Sequence, residues 1–215
     1  MKTLATLLYL MLWQTCSTFA QKNFGGSGYA LFGGGLVETS RMNEVIGYNS
    51  TIPENGIAVG GGGFAYWNRL TIGGSGYGFA GSKLNHEGVD YRITHGFGGM
   101  EVGYDILGQA KQKCIAALMY GGRGTIINVE SGDLKDKNIT NSSPILGATV
   151  HWQRLIAGEG SSGFMLGIKG GFWSSFPGNK WAQEGVEERP NIPYIPYGVF
   201  IGITVGGGGY SKDKD

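Results

Sequence analysis

Gly198-Val199-Phe200-Ile201-Gly202-Ile203-Thr204-Val205 decides the fold. Val199, Ile201, Ile203 and Val205 share one parity, and Gly198, Phe200, Gly202 and Thr204 share the other. Period two is the signature of an extended strand, here with one apolar face and one of mostly small residues. Two earlier stretches repeat it. Leu146, Ala148, Val150 and Trp152 alternate with Gly147, Thr149, His151 and Gln153, and Phe164, Leu166, Ile168 and Phe172 alternate with Met165, Gly167, Lys169 and Gly171.

Working outward, eight such segments can be counted: 24–37, 56–66, 70–82, 89–105, 113–129, 145–156, 163–174 and 195–206. In the first four the apolar parity switches partway, as from Ile93 and Phe97 to Met100, Val102 and Tyr104 across Gly98-Gly99, which predicts a β-bulge at each glycine pair. The connections after segments 2, 4 and 6 are short, and those after 1, 5 and 7 are long. An even number of strands with alternating short and long connections is the layout of an up-and-down transmembrane β-barrel, periplasmic turns on one rim and extracellular loops on the other. Segment lengths match the 9 to 11 or so residues with which a tilted strand crosses hydrocarbon. Tyr66, Tyr104 and Trp152 then belong to a periplasmic aromatic girdle, and Phe79, Phe172 and Tyr197 to an extracellular one.

Composition narrows the class. Of 215 residues 42 are glycine, far above the usual share of about 7%, yet there are only six prolines and no Gly-X-Y period, which excludes collagen. A net charge of +1 gives no basic excess for binding nucleic acid. The first segment reads as an address: Met1-Lys2, an apolar run from Leu4 to Trp13, then Thr18-Phe19-Ala20 ahead of a cleavage point. The expected organisation is a cleaved signal at 1–20, a barrel over 21–210 and a short hydrophilic tail at 211–215. Cys16 leaves with the signal, so Cys114 is alone in the mature chain and no intramolecular disulfide can form. Its parity with Ala116, Leu118 and Tyr120 makes it a small packed side chain.

With its cleaved signal, eight strands and short-long connections, the chain resembles the small outer-membrane barrels of Gram-negative bacteria, the OmpA and OmpX type. The resemblance covers 21–210 and is one of architecture. Gly198 to Ile203 is similar to the last-strand signal read by barrel-assembly machinery, although the chain ends on Ser211-Lys212-Asp213-Lys214-Asp215 in place of a terminal aromatic. The partners implied are outer-membrane lipid and a protein bound through the extracellular loops.

An eight-stranded barrel has a lumen just wide enough for side chains to fill, so its charges must pair. Parity places Glu101, Lys169 and His151 inward near mid-height, Arg123 higher and Asp105 lower. This set reads as a salt-bridged plug, or alternatively as a water-lined ion path. Enzyme chemistry finds little footing. No histidine is followed two positions on by the serine of a barrel lipid deacylase, leaving only Ser82, His86 and Asp90 as polar residues around the third loop. No cofactor or metal is expected: there is no His-x-x-x-His or Cys pair, and Glu130, Asp133 and Asp136 read as a solvated acidic loop. The glycine runs are followed by no Lys-Ser/Thr and no helix, which excludes a phosphate-binding loop. The seventh loop is the candidate partner surface, because Phe176, Trp181 and Tyr194 lie among charged residues including Glu184 and Arg189.

The expected function is a non-enzymatic barrel with a structural, adhesive or complex-forming role. A lipid-modifying enzyme on the same barrel and a soluble sandwich or lipocalin-like binder are the alternatives.

Overall fold

The computed structural model describes residues 24–38, 54–86, 88–109, 111–130, 138–158, 162–176, 181–183 and 196–211. The expected signal at 1–20 and residues 212–215 lie outside them. The chain forms β1 (Phe24–Val37), β2 (Glu54–Trp67), β3 (Leu70–His86), β4 (Val89–Asp105), β5 (Gln112–Val129), β6 (Asn138–Ala157), β7 (Ser162–Ser175), β8 (Trp181–Gln183) and β9 (Tyr197–Ser211). The eight long strands pair antiparallel, each with its neighbour in sequence. Pairing of β1 with β9 closes the ring. The short β8 was not foreseen, and β6 begins seven residues before the expected Ile145.

Closure has a measurable stagger. Following paired residues from Phe24 through Trp67, Leu70, Tyr104, Ala116, Val150, Gly170 and Ile201 returns to β1 at Gly34, ten residues from the start. Eight strands with that shear tilt by about 40° and enclose a backbone radius of about 8 Å, which only side chains can fill.

Tight turns join strands at one end. Asn68-Arg69 links Trp67 to Leu70, with Asn68 at φ 55°, a left-handed conformation that asparagine tolerates better than most residues. At the other end β3 to β6 project past the closed wall: β2–β3 pairing stops at Ile57↔Ala80 while β3 runs to His86, and β6–β7 pairing stops at Ile145↔Ser175 while β6 starts at Asn138. β8 borders this extension, Asn141 lying opposite Trp181. The third connection is a tight hairpin turn between His86 and Val89, with Gly88 at φ 80°.

The predicted glycine-pair bulges are absent. Across Gly98-Gly99 the register runs unbroken from Tyr77↔Phe97 through Gly76↔Gly98 and Ser75↔Gly99 to Gly74↔Met100. Shifts occur instead at Ala80/Lys83 and Leu155/Ala157. The parity switch has another cause. Odd residues of β4 face inward throughout, but the lumen is apolar at Ile93 and Phe97 and charged at Glu101 and Asp105, while the outer face becomes apolar at Met100, Val102 and Tyr104.

Outward residues form an apolar belt. Ile57, Met100, Leu118 and Ile201 are each 65–68% exposed, and Phe32, Val102, Ile168 and Phe172 are about half exposed. Tyr104, Trp152, Phe172 and Tyr197 all lie on this outer surface, as expected. Tyr66 and Phe79 do not: both are buried inside, because each strand's inward face also needs aromatic volume, and parity alone cannot say which apolar face is the wall. Trp67, stacked on Phe24 with centroids 6.2 Å apart, takes the outer position beside Tyr66. Cys114 is half-buried on the outer face instead of being packed inside.

Most of the described glycines lie in strands, on both faces. Some inward ones make room for a neighbour's ring: a Cβ on Gly198 would meet the Trp173 indole at 2.7 Å, and one on Gly35 would run into the Phe79 ring. Outward Gly76 has nothing within 4 Å of the same position.

Candidate functional site

The lumen is built in layers. At the short-turn end Asp105 Oδ2 lies 2.8 Å from Lys113 Nζ, and Asp105 Oδ1 accepts the backbone N–H groups of Leu107 and Cys114 at 3.2 Å, tying the β4–β5 turn to the wall. Gln153 donates to Tyr66 Oη, which also bonds Ser27.

At mid-height Lys169 Nζ donates to Glu101 Oε1 at 2.7 Å, Glu101 Oε2 at 2.9 Å and Tyr29 Oη at 2.7 Å. Thr149 and Ser75 donate the remaining bonds to the carboxylate. The ammonium also lies 5.0 Å from the Phe64 ring centroid and 5.1 Å from that of Tyr29, within cation–π range. His151 bonds Thr204 through Nε2 at 3.0 Å and sets its ring edge-on to Tyr29.

Above the ion pair sits an aromatic layer centred on Phe97. Tyr77, Trp173, Phe200 and Phe79 surround it with centroids 5.1, 5.3, 5.4 and 5.5 Å away. Beyond that layer Arg123 donates to Ser175 at 2.8 Å, to Thr125 at 2.7 Å and to Asn141, while His95 Nδ1 pairs with Thr125 Oγ1 at 2.8 Å.

All five lumen residues singled out from sequence are therefore inside: Glu101 and Lys169 bond each other, Asp105 bonds Lys113, and Arg123 and His151 join separate hydroxyl networks. Lys113, Tyr29, Ser75, Thr149 and Thr204 complete the site and were missed. Lys113 shares parity with buried Ile115, which was the available signal; Tyr29 gave none, because β1 carries aromatics on both faces. The aromatic layer lies between the mid-height ion pair and the Arg123 network, and Tyr77 in that layer bonds Tyr29 Oη at 3.1 Å. Among the described residues no His, Cys, Asp and Glu cluster could hold a metal ion.

The loop candidates fare unequally. Phe176 is 42% exposed at the end of β7, its N–H bonding Pro144 O at 3.2 Å. Trp181 opens β8, and Glu184, Arg189 and Tyr194 lie outside the described residues, as do Asp133, Asp136 and the side chains of Ser82 and His86. Asp90 accepts a hydrogen bond from Asn85, and Glu130 pairs with Arg92 at 2.9 Å.

No protein-family model and no curated protein sequence matches the chain. Solved structures do. It is similar to Neisserial surface protein A at 10% identity, covering 87% of this chain and 96% of that one with a TM-score of 0.50. A major outer membrane protein of Thermus thermophilus aligns at 11% identity over 89% of this chain and all of its own, with a TM-score of 0.44. Ail of Yersinia pestis aligns at 12% identity over 88% and 97%, with a TM-score of 0.43. At these identities the likeness speaks for fold alone. A closed ring of eight antiparallel strands, with charged networks buried within and an apolar belt without, is the fold of a small outer-membrane β-barrel protein.

Proposed function

We propose that this chain is a bacterial outer-membrane barrel, exported by a cleaved signal, that works without catalysis as a structural, adhesive or complex-forming surface protein. One observation carries the reading: large apolar side chains face outward around the wall while Glu101, Lys169, Asp105 and Arg123 are buried inside among the lumen's aromatic and aliphatic residues. A water-soluble sandwich would cover its outer surface with polar and charged side chains and not with a belt of half-exposed isoleucine, leucine and phenylalanine. The filled lumen leaves the projecting end, where β3 to β6 and β8 rise past the wall, as the part able to meet a partner. His95 and His151 both bond threonine hydroxyls inside the barrel.

The test is fractionation. The protein should leave the envelope only with detergent and should migrate differently on gels before and after boiling; full recovery in the soluble fraction would overturn the reading. Purification in mild detergent should then co-isolate a protein lost on deleting residues 184–195. A hydrolase or acyltransferase activity on envelope lipid would instead make it an enzyme.

A further inference from the structure

A groove lies in the outer apolar belt near its long-loop end, and a second of about 430 Å³, between Val102, Leu118 and Val150, lies elsewhere on the wall without a glycine at an outward position. The first has a volume of about 470 Å³ and is lined by Gly34, Leu36, Asn55, Val199 and Ile201 from the outer face, with the backbone of Gly35, Gly56 and Phe200 beneath. The register explains its shape. Gly34 lies between Ile57 on β2 and Ile201 on β9, and Leu36 between Asn55 and Val199, so a position without a side chain is walled by apolar ones. The glycine at the centre is not imposed by packing: a Cβ on Gly34 would meet only Gly56 O, at 3.7 Å, whereas Cβ atoms on Gly33 and Gly35 would collide with neighbouring strands or rings.

We infer that this groove holds an acyl chain of an outer-leaflet lipid. The inference rests on the membrane reading above, which puts hydrocarbon against the belt. The groove adds a place where a chain can lie against backbone, touching Leu36, Val199 and Ile201 at once, and gain the dispersion contacts that a wall of projecting side chains denies it. Its upper brim is polar. Asn55 stands at the end where the belt gives way to the long connections, and exposed Tyr197 lies beyond Val199 on the same face of β9, so a headgroup has hydrogen-bonding partners where the chain leaves the hydrocarbon.

Gly34→Leu fills the groove without burying a clash, and Gly76→Leu makes the same change at an open outward position elsewhere on the wall. The barrel should be extracted from its own envelope in mild detergent and its retained lipid counted by native mass spectrometry. Wild type and Gly76→Leu should carry lipid, and Gly34→Leu at least severalfold less, with all three still shifting on boiling. Equal retention in Gly34→Leu would overturn the inference while leaving the membrane barrel intact. Loss of a dimer in Gly34→Leu without loss of lipid would also overturn it, assigning the groove to a second copy. Absence of the boiling shift in wild type would sink the membrane reading itself.

Discussion

Lys169 on β7 reaches across the lumen to Glu101 on β4, two strands away from adjacency, and both side chains are fully buried at a separation of 2.7 Å. Neither charge touches water, so each depends on the other and on Tyr29, Ser75 and Thr149 for the interactions that solvent would have supplied.

Lys169→Met should therefore destabilise the barrel by about 3–5 kcal/mol, because it strands a buried carboxylate. Adding Glu101→Gln should recover much of the loss by removing the uncompensated charge. Urea unfolding of the refolded barrel in detergent checks both; equal midpoints for the single and double variants would contradict the pairing.

Asp105 combines an ion pair with a turn. Asp105→Asn keeps an oxygen for the Leu107 and Cys114 N–H groups but loses the charge facing Lys113, whereas Asp105→Ala loses both. The alanine variant should be the less stable by about 1 kcal/mol, the usual net worth of a hydrogen bond. Paired unfolding curves of the two variants read this difference directly.

Glycines on opposite faces should respond in opposite directions. Gly198→Ala drives a methyl into the Trp173 ring and should cost about 1–3 kcal/mol. Gly76→Ala meets open space and should be neutral or stabilising by up to about 1 kcal/mol, since it reduces the freedom of the unfolded chain. Denaturation midpoints of the two proteins, compared with wild type, decide it.

Planar-bilayer recording of the wild type should show no steady conductance, because the rings around Phe97 close the lumen above the ion pair. Phe97→Ala should lower stability by about 3–5 kcal/mol. A large stable pore in the wild type would contradict the filled interior.

Much of this barrel was legible in the chain. A strand of period two has only two faces, so parity alone sent Glu101, Lys169, His151, Arg123 and Asp105 to the same side, and the short turns ordered the strands antiparallel. Parity failed where both faces are apolar. Tyr66 and Phe79 were read outward because nothing local separates an aromatic that plugs the lumen from one that meets the wall's surroundings.

The alternation around Gly198 to Val205, the strand count and the glycine excess were thus properties of the sequence by itself, since each follows from backbone geometry within one segment. Which charge meets which was not. The ten-residue stagger places Lys169 level with Glu101 and Trp173 beside Phe97 across the lumen, and stagger is a property of the closed ring that no single strand contains, while Asp105 meets Lys113 through the register of the β4–β5 hairpin. The outward glycines became meaningful only there as well. Gly34 and Gly198 are the same residue type in like strands, yet closure leaves one facing a groove in the outer wall and the other pressed against an indole.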